Sequence, residues 1–329
     1  MTENKKETIS RRAFIKRLTK AGISMAAAVA LGGLLFDPEG PSGKEEVDLA
    51  SLPDFAIEDL KPRMGIASGS DRKEMVKKAV QSIGGAEKYI RNGDRVLIKV
   101  NAAFASPPIL CATTHPDVVS ALVNICLNAG AEEVVVTDNP INDPSSCFQL
   151  TGIRKAAEEA GGKIILPGEN RFRNTTLKKG RLIKNWPLLY TPFEGINKII
   201  GATPVKDHHR SGASMTMKNW YGLLGGRRNI FHQDIHNIIK ELAMMVTPTF
   251  VILDGTQTMM TNGPTGGAMS DLKETNVMIA STDQVAADAF GAGLLERNIS
   301  DLPFIRKAAE QGVGTYEYKN LNPERISIS

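Results

Sequence analysis

Short runs of β-branched residues alternate with amphipathic stretches along most of this chain, and no other feature narrows its fold so far. Residues 95–100 (R-V-L-I-K-V), 133–137 (E-V-V-V-T), 163–166, 198–202, 249–253 and 277–281 read as buried strands. Between the first two, residues 116–129 keep Val118, Val119, Leu122, Ile125, Cys126 and Ala129 at helical spacing, with Thr114 expected as N-cap and Pro116 in the first turn. Further helices are expected at 153–160, around 214–224, and at 233–246, 284–296 and 303–311, with an edge strand at 325–328. Strands alternating with helices close into right-handed βαβ units. The expected fold is therefore α/β: a mostly parallel sheet with helices on both faces, built from Rossmann-like βαβ units.

The 329 residues divide unevenly. Positions 10–16 read S-R-R-A-F-I-K, and an uncharged, Ala- and Gly-rich run follows at 21–36. A basic region, a weakly apolar stretch and then Asp37-Pro38 is the layout of a twin-arginine signal peptide (1–36). The run is short for a membrane span, so contact with a membrane is expected only through an uncleaved leader. Ala28-Val29-Ala30 has the form of a cleavage site, although it lies inside the apolar run. The partner this implies is the twin-arginine export machinery, and the destination is periplasmic or otherwise extracytoplasmic. A Pro- and Gly-containing spacer (37–62) precedes a single α/β domain (63–329). Residues 168–197, basic and rich in Asn, break the βα rhythm and read as an irregular insertion. Net charge is +4, but seven of the 40 Lys and Arg residues stand in the first twenty positions and the body is near neutral. A nucleic-acid-binding body, which needs a clustered basic surface, is disfavoured.

Polar residues gather where the predicted strands end: Lys99 and Asn101, Asp138 and Asn139, Lys206 and His208, Asp254, and Asp283. Open α/β sheets bind ligands at that carboxyl edge. Taken singly, each Asp is as well explained as a helix cap or turn residue; their accumulation on one edge is the argument for a site.

Three segments together resemble the family catalogued as domain of unknown function 362. The first is Leu97-Ile98-Lys99-Val100-Asn101 with Thr114-His115-Pro116 and the Ala129-Gly130-Ala131 turn. The second is Lys206-Asp207-His208, then Ser214, Lys218-Asn219, Gly222 and His232. The third is Asp254-Gly255, Asn262-Gly263-Pro264 with Gly266-Gly267, and Asp283 with Val285-Ala286 and Asp288-Ala289. They span about residues 95–290. Some members of that family carry a ferredoxin-like segment, but here Cys111, Cys126 and Cys147 stand far apart with no C-x-x-C. An iron–sulfur cluster is not expected in this chain alone.

Lys206, Lys218 and Asn219 suit a clamp on a carboxylate or phosphate, and His208 a general acid or base near neutral pH. Solvated lysines and a turn-capping histidine are the bland alternative. The resemblance favours function and extends the binding set to Lys99, Asn101, Ser214, His232, Gly263, Gly266 and Asp283. His209, next to His208, points elsewhere if the chain is extended. Asp254 is read as the orienter of His208 or a ligand to a divalent metal. His232 and His236 share one face of a helix at the spacing zinc sites use, a pattern that also arises by chance. Residues 263–267 form a turn whose backbone N–H groups suit an anion, but no G-x-G-x-x-G, P-loop or G-x-S-x-G is present. Met215, Met217, Met244, Met245, Met259 and Met260 read as core filling. Cys126 reads as a buried free thiol, while the loops holding Cys111 and Cys147 are expected at one sheet edge, where an oxidising compartment permits a bridge.

The reading is an exported protein acting on, or at least holding, a small anionic molecule at the sheet's carboxyl edge. The reaction is not legible. A non-catalytic role in holding a cofactor, serving a redox partner or assisting iron–sulfur maturation is the rival.

Overall fold

The computed structural model describes residues 49–328, together with Arg11, Arg12, Lys16 and Thr19 of the leader, which are helical and exposed. The apolar run 21–36, Ala28-Val29-Ala30 and the start of the spacer lie outside the described residues. Asp48–Ser329 forms one compact unit. The strands in chain order are β1 (Met64–Ser68), β2 (Arg95–Lys99), β3 (Glu133–Thr137), β4 (Lys163–Ile165), β5 (Phe172–Thr175), β6 (Trp186–Leu189), β7 (Lys198–Lys206), β8 (Phe250–Met259), β9 (Leu272–Ser281) and β10 (Glu324–Ser327). Eight of them make one sheet in the order β10-β1-β9-β8-β7-β2-β3-β4. All run in one direction except β9, which is antiparallel to both β1 and β8. The expected mostly parallel α/β fold is what the chain forms.

Period-two alternation sorts the strand residues between two cores. Leu97, Ile199, Val251 and Leu253 face the helices Ile235–Met245, Gln284–Leu294 and Pro303–Glu310. Val96, Ile98, Ile200 and Ile252 face the helices Arg72–Ser82 and Pro116–Asn128. Helices thus cover both faces. Met215, Met217 and Met259 are buried in the body, as core filling requires.

Several boundaries differ for local reasons. The cap of Pro116–Asn128 is His115, whose Nδ1 accepts from the Asp117 N–H, not Thr114. The Thr114 hydroxyl is occupied inside the protein, accepting from Asn101 N and donating to Ala202 O. β7 and β8 run longer than their β-branched stretches because they pair with each other through Asp254 and on to Lys206 and Met259. The insertion is not irregular throughout, since β5 and β6 make a separate two-stranded sheet. Its loop is tied down by Glu241, a fully buried carboxylate that accepts the backbone N–H groups of Arg181, Leu182 and Ile183. Residues 49–62, read as spacer, run along the body, with Phe55 buried and its N–H donated to Thr247 O.

Candidate functional site

The carboxyl ends of β2, β3 and β7 meet the short helix Thr216–Asn219 around a cavity of about 490 Å³. Of the residues expected to bind or react, Lys99, Asn101, Lys206, His208, Ser214, Lys218, Asn219, His232 and Gly263 line it. Lys99, Lys206, Lys218 and Arg228 line it against Asp138, the only carboxylate on its wall among the described residues. That charge imbalance suits an anion.

The cations are not equivalent. Lys99 Nζ gives its three donors to Asp138 Oδ1 at 2.8 Å, Asn219 Oδ1 at 3.0 Å and Val100 O at 2.6 Å. Burial pulls its pKa down, and Asp138 opposes that pull. Asn219 is equally engaged: its amide donates to Lys99 O and Ala202 O. Lys99 and Asn219 therefore build the wall rather than offer it. Gly222 makes the pairing possible, because a Cβ there would fall 2.0 Å from Asp138 Oδ1. Lys206 Nζ donates to Asn101 Oδ1 at 3.2 Å and to Ala112 O, keeping one proton for the cavity, while Phe104 lies beneath it. Lys218 Nζ has no hydrogen-bond or ion-pair partner among the described residues and lies only against the Tyr221 ring. Burial and the Arg228 guanidinium bring Lys218 down to about 7. Burial and the Lys218 ammonium bring Lys206 to about 7 as well.

Three imidazoles stack along the wall. His208 lies between His209, at 4.9 Å, and His232, at 5.7 Å. Its Nδ1 accepts from the N–H groups of Arg210 and Ser211, so its proton sits on Nε2. Burial, followed by the Lys218 charge, holds His208 down to about 2. It enters as a neutral donor, not as the neutral-pH acid or base expected. His232 Nδ1 faces Asn229 O and Tyr221 Oη, which makes it the protonated nitrogen and leaves Nε2 as an acceptor. His209 shares the cavity, contrary to the extended-chain expectation, because the chain turns after β7 with Gly212 N–H bonding His208 O.

Asp254 is not brought to the cavity. It accepts from Arg72 and from the backbone and hydroxyl of Thr256, so it cannot orient His208. Asp283 sits at the opposite sheet edge, because β9 runs antiparallel, and caps Gln284–Leu294. Gly266 is off the wall, and two of the expected backbone donors of the turn are occupied: Gly263 N–H bonds Asp207 Oδ2 and Gly266 N–H bonds Asn262 O. His232 lies within the 3-10 segment Arg228–Asp234, while His236 is in the first turn of Ile235–Met245 and stacks on Phe304, so the two do not share a helix face. Among the described residues no group of three or more His, Cys, Asp or Glu side chains is placed to hold a metal. All three cysteines are buried and free, which bears out Cys126. It removes the Cys111–Cys147 bridge: Cys111 Sγ lies against Gln257 and Arg72, and Cys147 belongs to the helix Pro144–Leu150 rather than to a loop.

Arg228 and Tyr221 carry no signal in the sequence that marks them for the site, and His209, set aside on the extended-chain reading, joins it. Arg228 stands six residues beyond Gly222, and its guanidinium donates to Asn139 O, Pro140 O, Tyr221 O and Leu224 O. One of two adjacent arginines after a Gly-Gly pair gives no signal of such a role.

The family model described as domain of unknown function (DUF362) matches residues 96–293, which carry every residue of the cavity wall. A relative from Synechocystis sp., the thylakoid-associated protein sll1697, is 24% identical over 263 residues, covering 76% of this chain and 75% of its own. A crystal structure of a Thermotoga maritima protein aligns at 13% identity with a TM-score of 0.35, covering 74% of this chain and 60% of that one.

Proposed function

We infer a function from the site itself, because the chain belongs to DUF362, a family defined as a domain of unknown function whose name assigns no reaction. The cavity binds a small organic anion, a carboxylate or phosphate. Lys218 and the free proton of Lys206 hold its charge, with His208 Nε2–H donating and the Ser214 hydroxyl, which has no partner among the described residues, available beside them. The observation that carries this is the unpartnered Lys218 ammonium in a cavity with four cationic side chains and one carboxylate. Any acid–base chemistry belongs to the two lysines, poised near neutral pH, rather than to His208.

Titration calorimetry with sulfate at pH 6.5 tests it. Lys218→Met weakens sulfate binding by about 1.5–3 kcal/mol, the range for a charge-assisted hydrogen bond, with the thermal transition retained because Lys218 holds nothing else in place. Sulfate bound equally by the variant, or not bound by the parent protein, sinks the reading.

We also propose that the chain is exported folded through its twin-arginine leader, supported by S-R-R-A-F-I-K and by the exposure of Arg11 and Arg12. Arg11→Lys with Arg12→Lys keeps the charge but loses the guanidinium fork. Cell fractionation then finds the protein retained in the cytoplasm; undiminished export of the double variant overturns the proposal.

A further inference from the structure

A second cavity, of about 590 Å³, adjoins the first and shares Asn139, Ile141, Tyr221, Arg228 and His232 with it. We propose that the two form one bipartite site, and that the ligand is an anionic head joined to an uncharged apolar body that lies in the second cavity. This deepens the anion-binding reading above and rests on it.

The two chambers differ in chemistry while sharing a wall. The first holds the lysines and His208. Beyond the shared Tyr221, Arg228 and His232, the second has no ionisable side chain on its wall among the described residues. Arg228 brings little free hydrogen-bonding capacity, since four backbone carbonyls already take its guanidinium. What the second chamber does offer is apolar surface. Phe172, Pro140 and Ile141 face it, and the backbone of Gly225 and Gly226 forms part of its wall. Gly225 is required there because a Cβ would come within 2.7 Å of the Phe172 ring. Ile141, at the seam of both chambers, is 66% exposed, an apolar side chain left in water at the mouth of a polar site. Such exposure on a ligand-facing wall is relieved when an apolar group covers it.

Phe172 comes from β5, within the insertion that interrupts the βα rhythm. The insertion thereby gains a role: the sheet edge and the helix Thr216–Asn219 supply the cations common to any anion, and the insertion adds, through Phe172, an apolar ring to the wall that meets the body attached to it. This division places general recognition on the rigid edge and specificity on an added segment.

The test compares methylphosphonate, a head alone, with benzylphosphonate, the same head carrying an apolar ring. Benzylphosphonate binds about tenfold tighter or more if its ring is buried in the second chamber. Phe172→Ala and Ile141→Ser each reduce the ratio of the two affinities toward one; Ile141 is exposed, so its variant reports even if Phe172→Ala fails to fold. Equal affinity of the parent protein for both phosphonates overturns the bipartite site and leaves the anion reading standing. A preference that survives both substitutions also overturns it, because the ring then lies elsewhere. Binding of neither phosphonate overturns the anion reading, and this inference with it.

Discussion

Asp138→Ala lowers the unfolding free energy by about 3–5 kcal/mol, the cost of leaving one member of a buried ion pair without the other. Asp138 and Lys99 are almost wholly buried and bond at 2.8 Å. The same carboxylate accepts the N–H groups of Ala102 and Asn139, so its removal also leaves two backbone donors without their acceptor. Those donors start the chain leaving β2 and β3, and Lys99 in turn holds Asn219 on the helix that presents Lys218. The loss therefore reaches the ligand site through three elements at once. Urea unfolding measures it, and the double variant Asp138→Ala/Lys99→Met separates the causes. Removing both charges recovers part of the loss, since an unpaired buried ammonium no longer remains. A single variant as stable as the parent would show that the pair contributes nothing net. A double variant no better than Asp138→Ala would assign the whole cost to the backbone donors.

The contrast between that pair and Lys218 explains how far sequence reading went. Strand and helix periodicity located the sheet's carboxyl edge, and the lysines and histidines written there do share one cavity. Periodicity does not state strand direction, however. Residues 277–281 look like any buried strand, and only pairing with β1 and β8 shows β9 reversed, which carries Asp283 to the far edge. Nor does it state which face a residue takes once a strand outruns its β-branched stretch, as β8 does at Asp254. The distinction among Lys99, Lys206 and Lys218 was beyond sequence altogether. It depends on which acceptors surround each ammonium, and most of these are distant in the chain: Asp138 and Asn219 for Lys99, Asn101 and Ala112 for Lys206. β1 and the helix Arg72–Ser82 leave little trace in the sequence for a plainer reason: M-G-I-A-S holds one β-branched residue, and the segment follows a Pro-rich spacer.

Anion affinity falls steeply as pH rises from 7 to 9, and the slope identifies the groups responsible. Lys206 and Lys218 both stand near 7, against 10.5 for a free lysine. Their charged forms attract an anion, and a bound anion raises both values by its own field. Below pH 7 the ammoniums are already present and affinity is flat. Above it, each lysine that must take up a proton to bind costs about tenfold per pH unit, because one unit corresponds to 1.36 kcal/mol. The two amines repel each other and titrate as a pair, so the observed steps belong to the pair and not to either residue. Sulfate is the suitable probe, since its own charge is constant over this range. Lys218→Met removes one of the two protons and shallows the slope. Stability moves the other way. Between 7 and 10.5 an unfolded lysine keeps a proton that the folded one has lost, so the unfolded state binds more protons and the ligand-free fold gains stability as pH rises. Weaker binding at pH 8.5 accompanied by an equal or higher melting temperature is the expected pair of results. A sulfate affinity independent of pH across this range would mean that neither lysine titrates there, and the anion would then have to be held by groups whose charge does not change.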